Sequence, residues 1–139
     1  MLSNQNKEVI KILIADDDKI CHKKIKGELE KQYNDKFDFI YYQAYAVNEE
    51  TSLIEKEGIP NIIFQDLNMP YNEGELKDPG AGRKVTLKLI KNNIDFAQSI
   101  NNKQLVIIYM SHHKEFVEML EAEEDVIIIA KDDKAHNPQ

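Results

Sequence analysis

The chain has 139 residues, of which 42% are hydrophobic and 31% are charged, and this size and composition predict one globular domain spanning residues 1–139. Its formal net charge of −7 argues against direct nucleic-acid binding, which needs a basic face, and suits a protein that binds a divalent cation. Cys21 is the single cysteine, which excludes an internal disulfide, and no apolar run is long enough for a signal peptide or membrane span, so we expect a cytoplasmic protein that makes no membrane contact.

The first third of the chain predicts a buried strand followed by a helix. Val9 to Ala15 is an apolar run broken only by Lys11, and three acidic residues, Asp16, Asp17 and Asp18, follow it directly. Asp18 can cap the first turn of the helix. One stripe with an apolar or aromatic residue at every fourth position predicts the helix itself: Cys21, Ile25, Leu29 and Tyr33.

A second strand and a weaker helix lead to the central strand. Phe37 to Ala44 is rich in aromatic residues and predicts the second strand. Asn48 to Glu57 predicts a helix capped by Asn48 and closed by Gly58. Asn61 to Asp66 contains the apolar run Ile62, Ile63 and Phe64 and ends at a carboxylate, which predicts a buried strand delivering Asp66 to its own carboxyl end.

The segment after the central strand reads as a long loop and a helix. Pro70 to Gly82 is rich in glycine and proline, and it exceeds the usual length of about 2–6 residues for such a connection. Arg83 to about Asn93 predicts a helix, and Ile94 to Asn102 either extends that helix or forms an irregular turn.

The last part of the chain repeats the alternation of strand and helix. Leu105 to Met110 predicts a strand that ends at Ser111, and Val126 to Ala130 predicts another that ends at Lys131. His113 to Ala122 predicts the helix between them, and only a polar tail, residues 132–139, remains. Strands that alternate with helices predict right-handed crossovers and a parallel sheet. The fold class is therefore α/β, with a flavodoxin-like doubly wound sheet of five strands in the order 2-1-3-4-5.

In that strand order, polar side chains from four neighbouring strands meet at one edge of the sheet. They are Asp16 and Asp17 after the first strand, Asp66 after the third, Ser111 after the fourth and Lys131 after the fifth. Three carboxylates repel each other and need counter-charge, which a lysine and Mg²⁺ supply. A hydroxyl and an ammonium beside a carboxylate fit phosphoryl oxygens, so the chemistry suggested is phosphoryl transfer onto Asp66. Each residue by itself also has a structural reading as a cap or turn residue.

The sequence resembles the CheY-like receiver domain of bacterial two-component response regulators. The likeness lies in Ile-Leu-Ile-Ala-Asp-Asp-Asp at residues 12–18, Asp-Leu-Asn-Met-Pro at residues 66–70, Ser111 and Lys131, and it covers the chain from about Val9 to Lys131. The resemblance implies a single receiver domain with its core at about residues 9–131. It also implies a phosphoprotein in two-component phosphorelay signalling, not a conventional enzyme.

The resemblance further assigns a role to each matching residue. It implies that Asp66 is the phosphoacceptor and that Mg²⁺ is the cofactor, bound by Asp66 itself, directly by Asp17, through water by Asp16, and by the main-chain carbonyl of Asn68. Ser111 would hydrogen-bond the phosphoryl group and Lys131 would pair with it. The phosphate donor would be a sensor histidine kinase or a phosphotransfer protein, and an output protein would recognise the switched surface.

Several positions depart from the family pattern. His112, followed by His113, stands where the family has a small residue, and it would narrow access, slow dephosphorylation, contact phosphate or remain a solvated loop residue. Ile128 replaces the usual aromatic switch residue, and Asp132 replaces the proline that normally follows the lysine. The loop from Tyr71 to Ala81 is longer than usual, which would suit a partner surface.

The family's fifth helix is absent or reduced to a stub in this sequence. Its loss would leave apolar strand surface bare, so we expect either homodimerisation through that face or a missing C-terminal region. No DNA-binding or catalytic output segment is recognisable, which favours a stand-alone receiver that acts through protein contact.

Two other functions compete with the phosphorylated receiver. One is a pseudo-receiver, an interaction module that is not regulated by phosphorylation, which His112, Ile128 and Asp132 favour. The other is an aspartyl-phosphate phosphatase of the dehalogenase kind, which would need a second acid where this chain has Asn68.

Overall fold

The computed structural model describes residues 7–112 in full and the backbone of residues 127–130. The predicted helix from His113 to Ala122, the residues Lys131 and Asp132, the polar tail and the question of a fifth helix therefore lie outside the described residues. No helix within the described residues is long and apolar enough to cross a membrane.

The described residues form seven strands and four helices. In chain order they are β1 (Glu8–Ala15), α1 (Lys19–Tyr33), β2 (Phe37–Ala44), α2 (Val47–Glu57), β3 (Ile62–Asp66), β4 (Asn68–Pro70), β5 (Lys77–Pro79), α3 (Ala81–Asn92), α4 (Ile94–Asn101), β6 (Val106–Ser111) and β7 (Ile127–Ala130).

Five of the strands form one parallel sheet in the order β2-β1-β3-β6-β7. Once the small β4–β5 hairpin is set aside, this is the predicted flavodoxin-like order 2-1-3-4-5, and the fold class is confirmed. β1 lies inside the sheet, and its last four residues, Ile12 to Ala15, are almost fully buried. Such burial explains why the segment from Ile12 to Ala15 is continuously apolar.

The ends of α1 and α2 test the predicted caps. Asp18 caps α1 as predicted, since its side chain accepts a hydrogen bond from the amide of Ile20 at 2.9 Å. The predicted cap at Asn48 is wrong, because α2 begins at Val47 and is preceded by Ala46. The side chain expected to cap instead donates its nitrogen to Asn72 Oδ1 at 2.7 Å, and the main-chain amide of Asn48 donates to the carbonyl of Tyr71 at 3.1 Å.

The long connection after β3 is more ordered than the sequence indicated. It contains the antiparallel β4–β5 hairpin, and α3 begins at Ala81, two residues before the predicted start. The ambiguous segment that follows forms a separate helix, α4. Asn93 caps α4 by accepting a hydrogen bond from the amide of Phe96 at 3.1 Å, and Phe96 is fully buried.

The apolar stripe predicted for α1 is only partly buried. Cys21, Ile25 and Leu29 have intermediate exposure and Tyr33 is exposed, whereas the fully buried residue of the helix is His22. The main core instead lies between the sheet and the helices α2 to α4, around Leu13, Ile63, Met69, Val85 and Phe96.

Candidate functional site

Three carboxylates meet at the carboxyl edge of the sheet. Asp16 and Asp17 follow β1 and Asp66 ends β3, and carboxylate oxygens from all three lie within 4.8 Å of one another. Asp16 is fully buried and Asp66 is 3% exposed, while Asp17 is partly exposed. The predicted convergence of these acids is confirmed.

The backbone explains why the acids converge. β1 and β3 are parallel neighbours with Ala15 opposite Gln65, so the residues that follow, Asp16 and Asp66, emerge side by side. Main-chain amides then orient the carboxylates. Asp16 Oδ1 accepts from the amide of Asp18 at 2.8 Å, and Asp66 Oδ1 accepts from the amide of Asn68 at 3.2 Å.

His22 binds the backbone of the acidic site, and the sequence analysis did not identify it. Its Nε2 donates to the main-chain carbonyl of Asp16 at 2.7 Å, and its ring stacks on Tyr45 with 4.5 Å between the centroids. Burial lowers the pKa of His22, so the neutral ring, with its proton on Nε2, is favoured. A histidine four residues after Asp18 was a visible signal, but it fell outside the apolar stripe.

The donor set fits a hard divalent cation. Asp17 Oδ1 and Asn68 Oδ1 are buried, and neither has a hydrogen-bond partner within the part of the chain described. Buried oxygens without a donor normally coordinate an ion or an ordered water. Mg²⁺ prefers carboxylate and carbonyl oxygens and keeps some of its water ligands. The residues present are therefore suited to Mg²⁺.

The remaining predicted site residues divide into those that the structure describes and those that it does not. Ser111 ends β6 and is 1% exposed, at the same edge as Asp66, while His112 beside it is exposed. Ile128 lies in β7 with its backbone opposite Tyr109. Lys131 and His113 lie outside the described residues.

Lys77 is a cation at the acidic cluster that the sequence did not single out. Its Nζ lies 3.4 Å from Oδ2 of Asp17, and its side chain is 49% exposed. The lysine is in β5, inside the segment that the sequence marked as an unusually long loop. Loop length was thus a signal for this region, but no spacing distinguishes Lys77 from the other basic residues.

A second layer of polar groups lies behind Asp66. Gln65 is fully buried, and its Nε2 donates to the main-chain carbonyl of Asp66 at 3.2 Å. Burial raises the pKa of the neighbouring Glu50 in α2 to about 8, and Gln65 partly opposes that rise. Glu50 is therefore mainly protonated at neutral pH.

No family model matches the sequence, and a search of curated proteins finds no match. Solved structures do resemble the fold. A two-component response regulator from Cytophaga hutchinsonii has a TM-score of 0.65 at 18% identity, with 91% of this chain and 88% of that chain covered. Promoter-bound RcsB from Salmonella enterica serovar Typhimurium has a TM-score of 0.60 at 15% identity, covering 88% and 86%.

A third structure agrees with these two. The LuxR-family response regulator from Aurantimonas has a TM-score of 0.59 at 17% identity, with 89% of this chain and 75% of that chain covered. The fold shared with these structures is that of the response-regulator receiver domain. The predicted resemblance is thereby confirmed at the level of fold.

Proposed function

We propose that this protein, which has the fold of a response-regulator receiver domain, accepts a phosphoryl group on Asp66 and thereby switches a protein-interaction surface. The observation that carries the proposal is the position of Asp66. Its nearly buried carboxylate lies at the carboxyl edge of the sheet, within 4.8 Å of carboxylate oxygens of Asp16 and Asp17. Ligands of open α/β sheets bind at this edge.

Mg²⁺ would be held by Asp16, Asp17, Asp66 and the main-chain carbonyl of Asn68. When bound, it neutralises charge between the carboxylates and the incoming phosphoryl oxygens. The chain's own part is to present Asp66 in line with phosphorus, with its Oδ1 oriented by the amide of Asn68 at 3.2 Å. Ser111 would then donate its hydroxyl to the transferred group, and Lys131 would pair with it.

The phosphate donor we propose is a phosphohistidine of a sensor kinase or phosphotransfer protein. The carboxylate of Asp66 forms an O–P bond while the P–N bond of the donor breaks. The bonding electron pair stays with the imidazole, which leaves as a neutral ring when its other nitrogen carries a proton. The protein then acts as a signalling switch read by an output partner, rather than as an enzyme with turnover.

A pseudo-receiver is the second candidate, and one contact favours it. Lys77 lies 3.4 Å from Asp17 and supplies a positive charge to the acidic cluster from within the chain. A cluster that is partly neutralised in this way has less need of a metal, and an interaction module would gain stability from the same pair. His112, exposed beside Ser111, is compatible with either function.

The two functions are separated by intact mass after incubation with acetyl phosphate and Mg²⁺. We expect a mass gain of one phosphoryl group that is lost in Asp66→Asn and in a metal-free sample. Asp38→Asn is the matched control, because Asp38 is exposed on β2, away from the acidic cluster. A folded protein that binds Mg²⁺ without gaining mass would favour the pseudo-receiver. A gain that survives Asp66→Asn would contradict the assignment of Asp66.

A further inference from the structure

We propose that Lys77 sets the metal affinity of the acidic site by acting as a tethered counter-cation, which a divalent ion must displace from Asp17. The inference rests on the metal site of the proposed function and adds a residue that the sequence resemblance does not assign. Among the described residues, Lys77 and Asp17 form an ion pair that joins the β4–β5 hairpin to the acidic cluster, with 3.4 Å between Nζ and Oδ2.

The hairpin fixes the backbone of Lys77 beside the acidic cluster. β4 and β5 pair in antiparallel register, with Pro70 opposite Lys77. The tip is closed by Asn72 and Glu75, since the amide and the side-chain nitrogen of Asn72 both donate to the carboxylate of Glu75, at 3.1 and 3.0 Å. The backbone position of Lys77 is thus set by strand pairing.

Both sides of the hairpin are also attached to the rest of the fold. At the tip, Asn48 of α2 donates its side-chain nitrogen to Asn72 Oδ1 at 2.7 Å. At the base, the amide of Gly80 donates to the carbonyl of Leu67 at 3.0 Å. Asp78, the residue after Lys77, pairs with Lys84 of α3 at 3.8 Å. Successive strand residues point to opposite faces, so the same short strand contacts α3 on one face and Asp17 on the other.

The charge of Lys77 opposes that of a metal ion at the same carboxylate. Asp17 Oδ2 faces the ammonium group, and Asp17 Oδ1 is buried without a hydrogen-bond partner among the described residues. A divalent ion on Asp17 would lie within a few ångströms of Nζ, where two positive charges repel strongly. Because the side chain of Lys77 is 49% exposed, it can turn into solvent when the ion binds. Metal binding therefore includes the cost of breaking this pair.

The experiment compares the Mg²⁺ affinities of wild type, Lys77→Met and Lys88→Met by calorimetric titration. Lys88→Met removes the same charge from an exposed position on α3 and leaves the Asp78–Lys84 pair of the hairpin in place, so it controls for net charge. We expect Lys77→Met to bind Mg²⁺ about 3- to 10-fold more tightly than wild type, whereas Lys88→Met stays within about twofold. Lys77→Arg, which keeps the charge, should retain an affinity close to that of wild type.

The possible outcomes distinguish the inference about Lys77 from the proposed function. Equal or weaker binding by Lys77→Met, in protein with an unchanged circular dichroism spectrum, would overturn the role of Lys77 and leave the metal site intact. Binding by Lys77→Met when wild type binds no Mg²⁺ would support it most strongly. Failure of every variant to bind Mg²⁺ would overturn both the inference and the metal requirement of the proposed function. The mass measurement on Asp66 would still report on phosphoryl acceptance.

Discussion

Gly82 lies directly against the main-chain carbonyl of Asp66. A Cβ atom added at Gly82 would overlap the carbonyl oxygen of Asp66 and would also lie 3.0 Å from the side-chain nitrogen of Gln65. The amide of Gly82 donates to the carbonyl of Leu67 at 3.1 Å, so the first turn of α3 packs on the backbone that carries the candidate phosphoacceptor. Close approach of two backbone segments is the reason for a glycine at this position.

This contact predicts opposite effects for two glycine substitutions. Gly82→Ala should destabilise the protein by about 2–3 kcal/mol, because either α3 or the Asp66 backbone must move. Gly27→Ala is the matched control, since Gly27 lies inside α1 with nothing within 4 Å of an added Cβ. It should stabilise by about 0.5–1 kcal/mol through helix propensity. Urea denaturation measures both changes, and similar effects of the two substitutions would contradict the packing argument.

The buried carboxyl group of Glu50 predicts a pH dependence of stability. Burial raises the pKa of Glu50 from 4.5 to about 8, so the folded protein keeps a proton that the unfolded chain releases. The unfolded state binds fewer protons in this range, and the contribution of Glu50 to stability is therefore lost as the pH rises from about 5 to about 8. Glu50→Gln removes this titration, and its stability relative to wild type should rise by up to about 3 kcal/mol over that interval.

Chemical denaturation at several pH values measures this difference. Glu55→Gln is the control, because Glu55 is an exposed residue of the same helix and its substitution should give no comparable trend. A difference between wild type and Glu50→Gln that stays constant with pH would show that Glu50 is ionised in the folded protein.

A buried hydroxyl network joins α3 to β6. Tyr109 is 2% exposed, its hydroxyl accepts from Arg83 Nη1 at 2.6 Å, and the hydroxyl of Thr86 lies 2.7 Å from it. Tyr109→Phe removes the hydroxyl that Arg83 and Thr86 share, and it should lower the free energy of unfolding by about 1–2 kcal/mol. Tyr71→Phe, at an exposed tyrosine, should change it by less than about 0.5 kcal/mol. Equal costs in thermal denaturation would argue against the network.

The N-cap of α4 predicts that only one of two adjacent asparagines, Asn93, contributes to the stability of the protein. Asn93 accepts a hydrogen bond from the amide of Phe96 at 3.1 Å, so Asn93→Ala should destabilise by about 1 kcal/mol. Asn92→Ala, at the exposed last residue of α3, should be close to neutral. Denaturant midpoints distinguish the two variants. If Asn92→Ala were the more harmful change, the boundary between α3 and α4 would have to be placed elsewhere.

The sequence predicted the large sheet well because its signal is local. The apolar runs that became β1, β2 and β3 are recognisable from consecutive residues, and in a parallel sheet their carboxyl ends share one edge. That was sufficient to bring Asp16, Asp17 and Asp66 together. The errors occur where tertiary contacts override local preference: the side chain of Asn48 bonds to Asn72 instead of capping α2.

Strand order and the three-carboxylate site were thus determined by the sequence itself. Hydrophobic patterning defines the strands, and the acidic residues stand at the carboxyl ends of those strands. The tertiary structure decided what surrounds them. His22 faces inward because it reaches the Asp16 carbonyl, burial of Glu50 against Gln65 changes its protonation, and Lys77 meets Asp17 through a hairpin held by α2 and α3. These contacts join residues far apart in the chain, and their free energies depend on burial and distance, which no local pattern encodes.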